Sequence, residues 1–289
     1  MSNYLEQRLD RYIRSKYGKI PQSLIEKAIR HKDILVNGKK VKSYTRVTPN
    51  DEIYIHPNIE QRFVRLISSA TPNTKAVVTK KHQVNFKQSI IYEDDDLLII
   101  NKPAGVAVQL GTKTNIALDV IARMYNSETR LVHRIDKNTS GITVFAKNAE
   151  VARYMLDMFK TRQVKKVYVA LLSKKISQKN GVIRERLSKS KDRVIIDPIN
   201  GKLAITKFEL IENIGNKSLI YVHPLTGRTH QIRVHMASIG VPIFGDKKYG
   251  GTPSKYLHLH AYKISFRKYN SHKILSITAP PPDYLHYNP

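Results

Sequence analysis

Two short stretches hold most of the side chains that could do chemistry. LVHRIDKNTSGITVFAK, residues 131–147, sets His133, Arg134 and Asp136 within four positions, ahead of a Thr-Ser-Gly turn and an apolar, strand-like run. HPLTGRTHQIRVHMASIG, residues 223–240, packs Arg228, His230, Gln231, Arg233 and His235 into eight positions. A carboxylate beside a guanidinium is held in its charged form, and an ionised carboxylate serves either as a nucleophile or as a base. Taken alone, the first stretch also reads as a capped turn in which Asp136 pairs with Arg134. A kinase catalytic loop is excluded, because Ile135 separates the arginine from the aspartate and the Gly-rich loop and Asp-Phe-Gly are missing. The second stretch argues for more than a capped turn. That many polar groups would not enter an apolar interior without partners, whereas a surface receiving phosphates and a nucleotide would use them all.

The elements that must position these groups are legible from periodicity. IIYEDDDLLIINKPAG gives two strands around an acidic turn, and NIALDVIARMYN and EVARYMLDMFKTRQ have helical apolar faces. KKVYVALL, LAITKFELI, SLIYVHP and ISFRK read as strands, with HQIRVHMASIG as a helix between the last two. Strands outnumber helices and do not alternate with them. The expected fold class is therefore α+β, with a mixed, largely antiparallel central sheet and flanking helices.

The amino end differs in character. Leu5 and, within RLDRYIRSKYG, Leu9, Tyr12, Ile13 and Tyr17 fall at helical spacing. A second helix follows Pro21, with Ser23 and Glu26 spaced as a capping box. Asn37-Gly38 favours a tight hairpin turn, and DEIYIHP is a closing strand. Lys27, Arg30, His31, Lys32, Lys39, Lys40 and Lys42 make this unit a platform for a phosphate backbone. Residues 58–88 lose periodicity and read as a linker rich in Ser, Thr, Asn and Lys. The expected organisation is a small basic domain at 1–57, the linker at 58–88 and a larger domain at 89–289.

Composition narrows the partner. Fifty Lys and Arg against 23 Asp and Glu give a formal net charge of +27, which attracts a polyanion. Nucleic acid is expected rather than a membrane, since no apolar segment reaches spanning length and no signal peptide opens the chain. The absence of cysteine removes disulfides, thiolate metal sites and thiol catalysis. His133, His230, His258 and His260 lack the pairing of a metal site. A soluble, cytoplasmic chain is expected, with nothing requiring more than a monomer.

HRIDKNTSG, together with NKPAG, KKVYVAL, GRTHQIRVHM, GDKKYG and LHLHA in that order, resembles the RluA-type pseudouridine synthases over residues 90–266. Residues 7–55 resemble the small αL-type RNA-binding domain named after a ribosomal small-subunit protein. The resemblance implies the pseudouridine synthase fold and isomerisation of uridine to pseudouridine in RNA, without metal or cofactor. It implies large-subunit ribosomal RNA as the partner; transfer RNA, or an rRNA-binding assembly protein without catalysis, are the alternatives. Asp136 matches the family's aspartate, Arg233 the arginine that steadies it, and Tyr168 the active-site tyrosine. A uridine inside folded RNA must be extruded to be reached, and Arg134 matches the arginine expected to occupy the space it leaves. Arg228, His230 and Gln231 are expected RNA contacts, with Lys27, Arg30, Lys32, Lys39 and Lys40 in the amino-terminal unit. Ile135, Gln109 and Val241 depart from the family's more usual residues and leave Asp136 untouched.

Overall fold

The computed structural model describes residues 6–18, 20–68, 78–110 and 116–285. Leu5, residues 69–77 of the expected linker and Asn115 of an expected helix lie outside the described residues. The chain divides into two compact units, Met1–Ala76 and Val77–Pro289.

The first unit begins with β1 (Gln7–Arg8) and α1 (Leu9–Tyr17). Gly18, at φ 75°, ends α1 in a conformation that favours glycine. Next come α2 (Gln22–Arg30), β2 (Ile34–Val36), β3 (Arg46–Val47), β4 (Ile53–Ile55) and α3 (Pro57–Ser68). The capping box does not form: Pro21 flanks α2 and no side chain caps it. Glu26 instead accepts a bond from Gln22, because the helix starts two residues earlier than the Ser23 spacing requires. Asn37 and Gly38 both take positive φ, and Val36 bridges Lys39 across them. The ladder partner of β2 is the later strand β4. Leu9, Ile13, Ile25, Ile29, Ile34 and Phe63 close one core.

The second unit opens with α4 (Lys80–Gln88), β5 (Ile90–Glu93), β6 (Leu97–Lys102), α5 (Leu118–Tyr125), β7 (Arg130–Leu131) and β8 (Ser140–Ala146). It continues through α6 (Ala149–Lys160), β9 (Lys165–Leu172), β10 (Asn180–Ser190), β11 (Arg193–Ile196), β12 (Lys202–Ile214) and β13 (Lys217–Pro224). It ends with α7 (Gln231–Ser238), β14 (Leu259–Arg267), β15 (Ile274–Thr278) and a short 3₁₀ turn, Asp283–Leu285. The sheet runs β11-β10-β12-β13-β9-β14-β8-β6-β5, with β15 on β14 and β7 on β8. Among the described residues the β8–β14 pairing is parallel and the other pairings of this sheet are antiparallel. The fold is thus α+β with the mixed sheet expected from the sequence.

The stretch expected as a linker holds α3 and α4. Each helix sends one aromatic side chain, Phe63 and Phe86, into the core of its own unit. In α4 Phe86 is the one buried side chain amid Lys, Asn and Gln, which leaves too little apolar periodicity to be seen; α3 carries Ile59 and Phe63 at helical spacing, a signal that the linker expectation missed.

Two cores flank the middle of the large sheet. Ile99, Val132, Ile135, Ile142 and Met155 belong to one, and Leu172, Phe208, Val222, Ile232 and Met236 to the other. Tyr168 on β9 packs against both. A cleft of about 1410 Å³ opens along this junction.

Candidate active site

Asp136 hangs in the loop between β7 and β8. Val132 and Ile135 are buried in the core, and Arg134 and Asp136 line the cleft beside them. The Thr139 amide donates to the Asp136 carbonyl at 3.1 Å. The turn is therefore Asp136–Thr139, and Ser140 and Gly141 already belong to β8. The Thr-Ser-Gly turn expected from the sequence is displaced by this, because β14 runs alongside. A Cβ at Gly141, which has φ 106°, would lie 2.3 Å from the Ala261 carbonyl oxygen.

Arg233 reaches the same place from α7. Its Nη1 donates to Asp136 Oδ2 at 3.3 Å across 97 residues of sequence. Its other face is clamped, with Nε and Nη2 each donating at 2.8 Å to Asp246 Oδ2 and Oδ1. Burial alone would ease the proton off Arg233, but the hydrogen bond and charge of Asp246, with the charge of Asp136, outweigh it and raise its pKa. The guanidinium is a fixed cation, with Nη1 turned toward Asp136.

Tyr168 lines the same cleft. Burial, seconded by the negative charge of Asp136, pushes its phenol well above the ordinary value, so the hydroxyl stays protonated at neutral pH. In the free protein it is a donor and a stacking surface rather than a phenolate.

Residues 96–238 match the family described as RNA pseudouridylate synthase, and residues 7–53 match the S4 domain. A relative from Rickettsia bellii (strain RML369-C), named ribosomal large subunit pseudouridine synthase C, is 38% identical over 96% of this chain and 95% of its own. The chain belongs to the RNA pseudouridylate synthases. A relative of the same name from Vibrio cholerae serotype O1 (strain ATCC 39315 / El Tor Inaba N16961) is 33% identical over 95% of this chain and 89% of its own. Among solved structures, human RNA pseudouridylate synthase domain containing 1 aligns at TM-score 0.59 and 27% identity, covering 68% of this chain and 85% of its own. Human RNA pseudouridylate synthase domain containing 4 shares the fold at TM-score 0.60 and 23% identity, covering 71% of this chain and 92% of its own.

Asp136, Arg134, Tyr168, Arg228, His230, Gln231 and Arg233 all border the same cleft. Not all of them offer it free polar atoms. Gln231 donates to the Ile205 carbonyl and Thr206 Oγ1, each at 2.9 Å, and accepts from Thr226 Oγ1 and the Arg228 amide. Its amide is fully committed to the protein and correctly reads as scaffold, not as an RNA contact. His235 is likewise fully buried, and burial holds its pKa down to about 4. Arg134 is exposed, and its Nη1 donates to Gln109 Oε1 at 3.4 Å. In the S4 domain Lys27, Arg30, Lys32, Lys39 and Lys40 are all exposed. Arg30 and Lys40 border a shallow depression of about 350 Å³ that also takes in Lys42 and Tyr44.

The histidines weighed for a metal have other work. His133 Nε2 accepts the Val144 amide at 3.0 Å and its ring stacks on Phe159, while His260 bonds Ser140 Oγ and the Ala279 carbonyl.

Two site residues escaped the sequence reading. Asp246 lies in the GDKKYG block without any local sign that an arginine 13 residues earlier needs it. Lys102, in NKPAG, is fully buried, and its Nζ donates at 2.9 Å to each of the Pro103, Val106 and Lys137 carbonyls. It thereby ties the end of β6 to the residue after Asp136. Lys102→Met is expected to lower stability by about 3 kcal/mol in chemical denaturation, since three carbonyls lose their shared donor. Burial pulls the Lys102 pKa from 10.5 to about 7, with Asp136 opposing. The unfolded chain then holds the extra proton between those values, so the wild-type advantage over Lys102→Met should widen as pH rises from about 7 to 10.5.

Proposed function

We propose that this chain isomerises uridine to pseudouridine in large-subunit ribosomal RNA, acting without cofactor as a cytoplasmic monomer. The observation that carries the reading is the meeting of Asp136, Arg233 and Tyr168 in one cleft, with Arg233 donating to Asp136. In this scheme the uridine leaves its helix and Arg134 fills the space, offsetting a few kcal/mol of lost stacking and pairing. Asp136 assists cleavage of the bond between N1 and C1′, as a nucleophile at the sugar or as a base toward it. The uracil turns on the ring of Tyr168, C5 joins C1′, and the proton lost from C5 is balanced by one gained at N1. The raised pKa of Tyr168 assigns it to holding and orienting the base before any role as proton acceptor.

The curated relatives' names favour ribosomal over transfer RNA. The exposed cations of the S4 domain supply a second grip on the same molecule and raise its local concentration at the cleft. Pseudouridine mapping of total RNA from cells with and without the protein tests the reading. Sites lost from large-subunit rRNA alone are expected. Loss confined to transfer RNA, or no loss at all, would overturn the substrate or the activity respectively.

A further inference from the structure

Beside Arg233, a second donor approaches Asp136. His230 opens α7, and its Nε2 lies 3.7 Å from the same Oδ2 that Arg233 contacts at 3.3 Å. Its other nitrogen, Nδ1, lies 2.8 Å from the Tyr249 hydroxyl. That hydroxyl is buried and already accepts the Val194 amide at 3.0 Å. It has one proton to give. The guanidinium groups of Arg233 and Arg193, at 5.0 and 5.5 Å from the Tyr249 ring, hold donors only. Given to Nδ1, the proton of Tyr249 leaves the imidazole proton on Nε2, facing Asp136.

The backbone supports a purpose at this position. His230 sits at φ 52° and ψ 17°, a left-handed conformation that costs a side-chain-bearing residue on the order of 1–3 kcal/mol. Glycine or asparagine would sit there more easily. A histidine kept there, bonded on one side and aimed on the other, has been placed by its surroundings.

We propose that His230 is a positioning residue, locked by Tyr249 in the Nε2–H tautomer, which with Arg233 holds Oδ2 of Asp136 and leaves Oδ1 as the oxygen that meets the sugar. The inference rests on Asp136 being the reacting group of the proposed function. The 3.7 Å separation closes to a hydrogen bond once the cleft is filled and water leaves it. Burial, with Arg233 and Lys248, keeps the imidazole neutral against the pull of Asp136 and Asp246. The Tyr249 bond adds to this by occupying the nitrogen that would take the second proton.

Two measurements test the lock. The first needs no substrate: nitrogen chemical shifts of histidine-labelled full-length protein should show His230 as the Nε2–H tautomer, changing to a mixture in Tyr249→Phe. A Nδ1–H tautomer in the wild type overturns the proposal, whatever RNA the enzyme modifies. The second is kinetic, on an rRNA fragment that the wild type modifies. Tyr249→Phe should lower kcat about 10-fold or more, as loss of a partner that orients a metal-bound histidine does, with KM within about twofold. It should also move the acid limb of the kcat profile to higher pH, because the neutral imidazole loses its stabilising donor. His230→Asn tolerates the left-handed backbone but has no tautomer to lock, so adding Tyr249→Phe to it should cost nothing more. An unchanged kcat in Tyr249→Phe, or equal additive losses in the double variant, would refute the coupling. A merely structural Tyr249 would lower thermal stability and leave the pH profile and the non-additivity unmoved.

Discussion

Asp136→Asn should fold, bind ribosomal RNA with nearly wild-type affinity and make no measurable pseudouridine. The substitution keeps the size of a side chain that is only partly buried. It replaces an anion by an amide that neither attacks C1′ nor takes a proton. Removal of a reacting side chain costs on the order of 10⁴-fold in turnover or more. Affinity should persist because it comes from the cations along the cleft and on the S4 domain, none of which is altered. The measurement is single-turnover conversion of an rRNA fragment alongside filter binding of the same fragment. Conversion within a hundredfold of wild type would remove Asp136 from the chemistry. Lost binding would show that the carboxylate shapes the RNA site instead.

The second large effect belongs to a residue that touches no RNA in this scheme. Asp246→Ala should cost about 3–5 kcal/mol of stability, because it strands a buried guanidinium without its bidentate partner. Asp246 is fully buried at its side chain and Arg233 nearly so. The backbone amides of Lys248 and Tyr249 also lose their shared acceptor, Asp246 Oδ1. Activity should fall with stability, since Arg233 would relax away from Asp136. Double substitution of Asp246 and Arg233 to similarly sized apolar residues should recover part of the stability and none of the activity. Thermal denaturation of the three variants decides it. A loss below about 1 kcal/mol in Asp246→Ala would mean that water reaches the pair and that the clamp is weak.

The fold class was legible because β6, β8, β9 and β13 carry apolar runs bounded by turns, and because α6 has an unbroken apolar face. The strand β10 was not, since its burial is confined to Ile183 and Leu187 among exposed Arg, Glu and Lys. The site was half legible. Asp136, Arg233 and Tyr168 announced themselves through the blocks around them. Gln231 and His235 looked equally polar and equally suited to RNA, but the interior supplies each with a partner in β12, at Thr206. Sequence spacing does not say which polar groups a distant strand will satisfy. For the same reason Asp246 and Lys102 stayed hidden: what makes each matter is a partner brought close only by folding. Lys102 in particular ends an apolar strand, where a lysine ordinarily reaches outward to water.

The acid and its guanidinium arrive from opposite banks of the sheet. Asp136 is carried by the β7–β8 side, Arg233 by α7 against β12 and β13, and the banks meet through β9 and β14 at the centre. In the proposed chemistry each bank carries half of a pair, so parting the central seam should end turnover outright, whereas loosening an outer strand should leave the pair assembled.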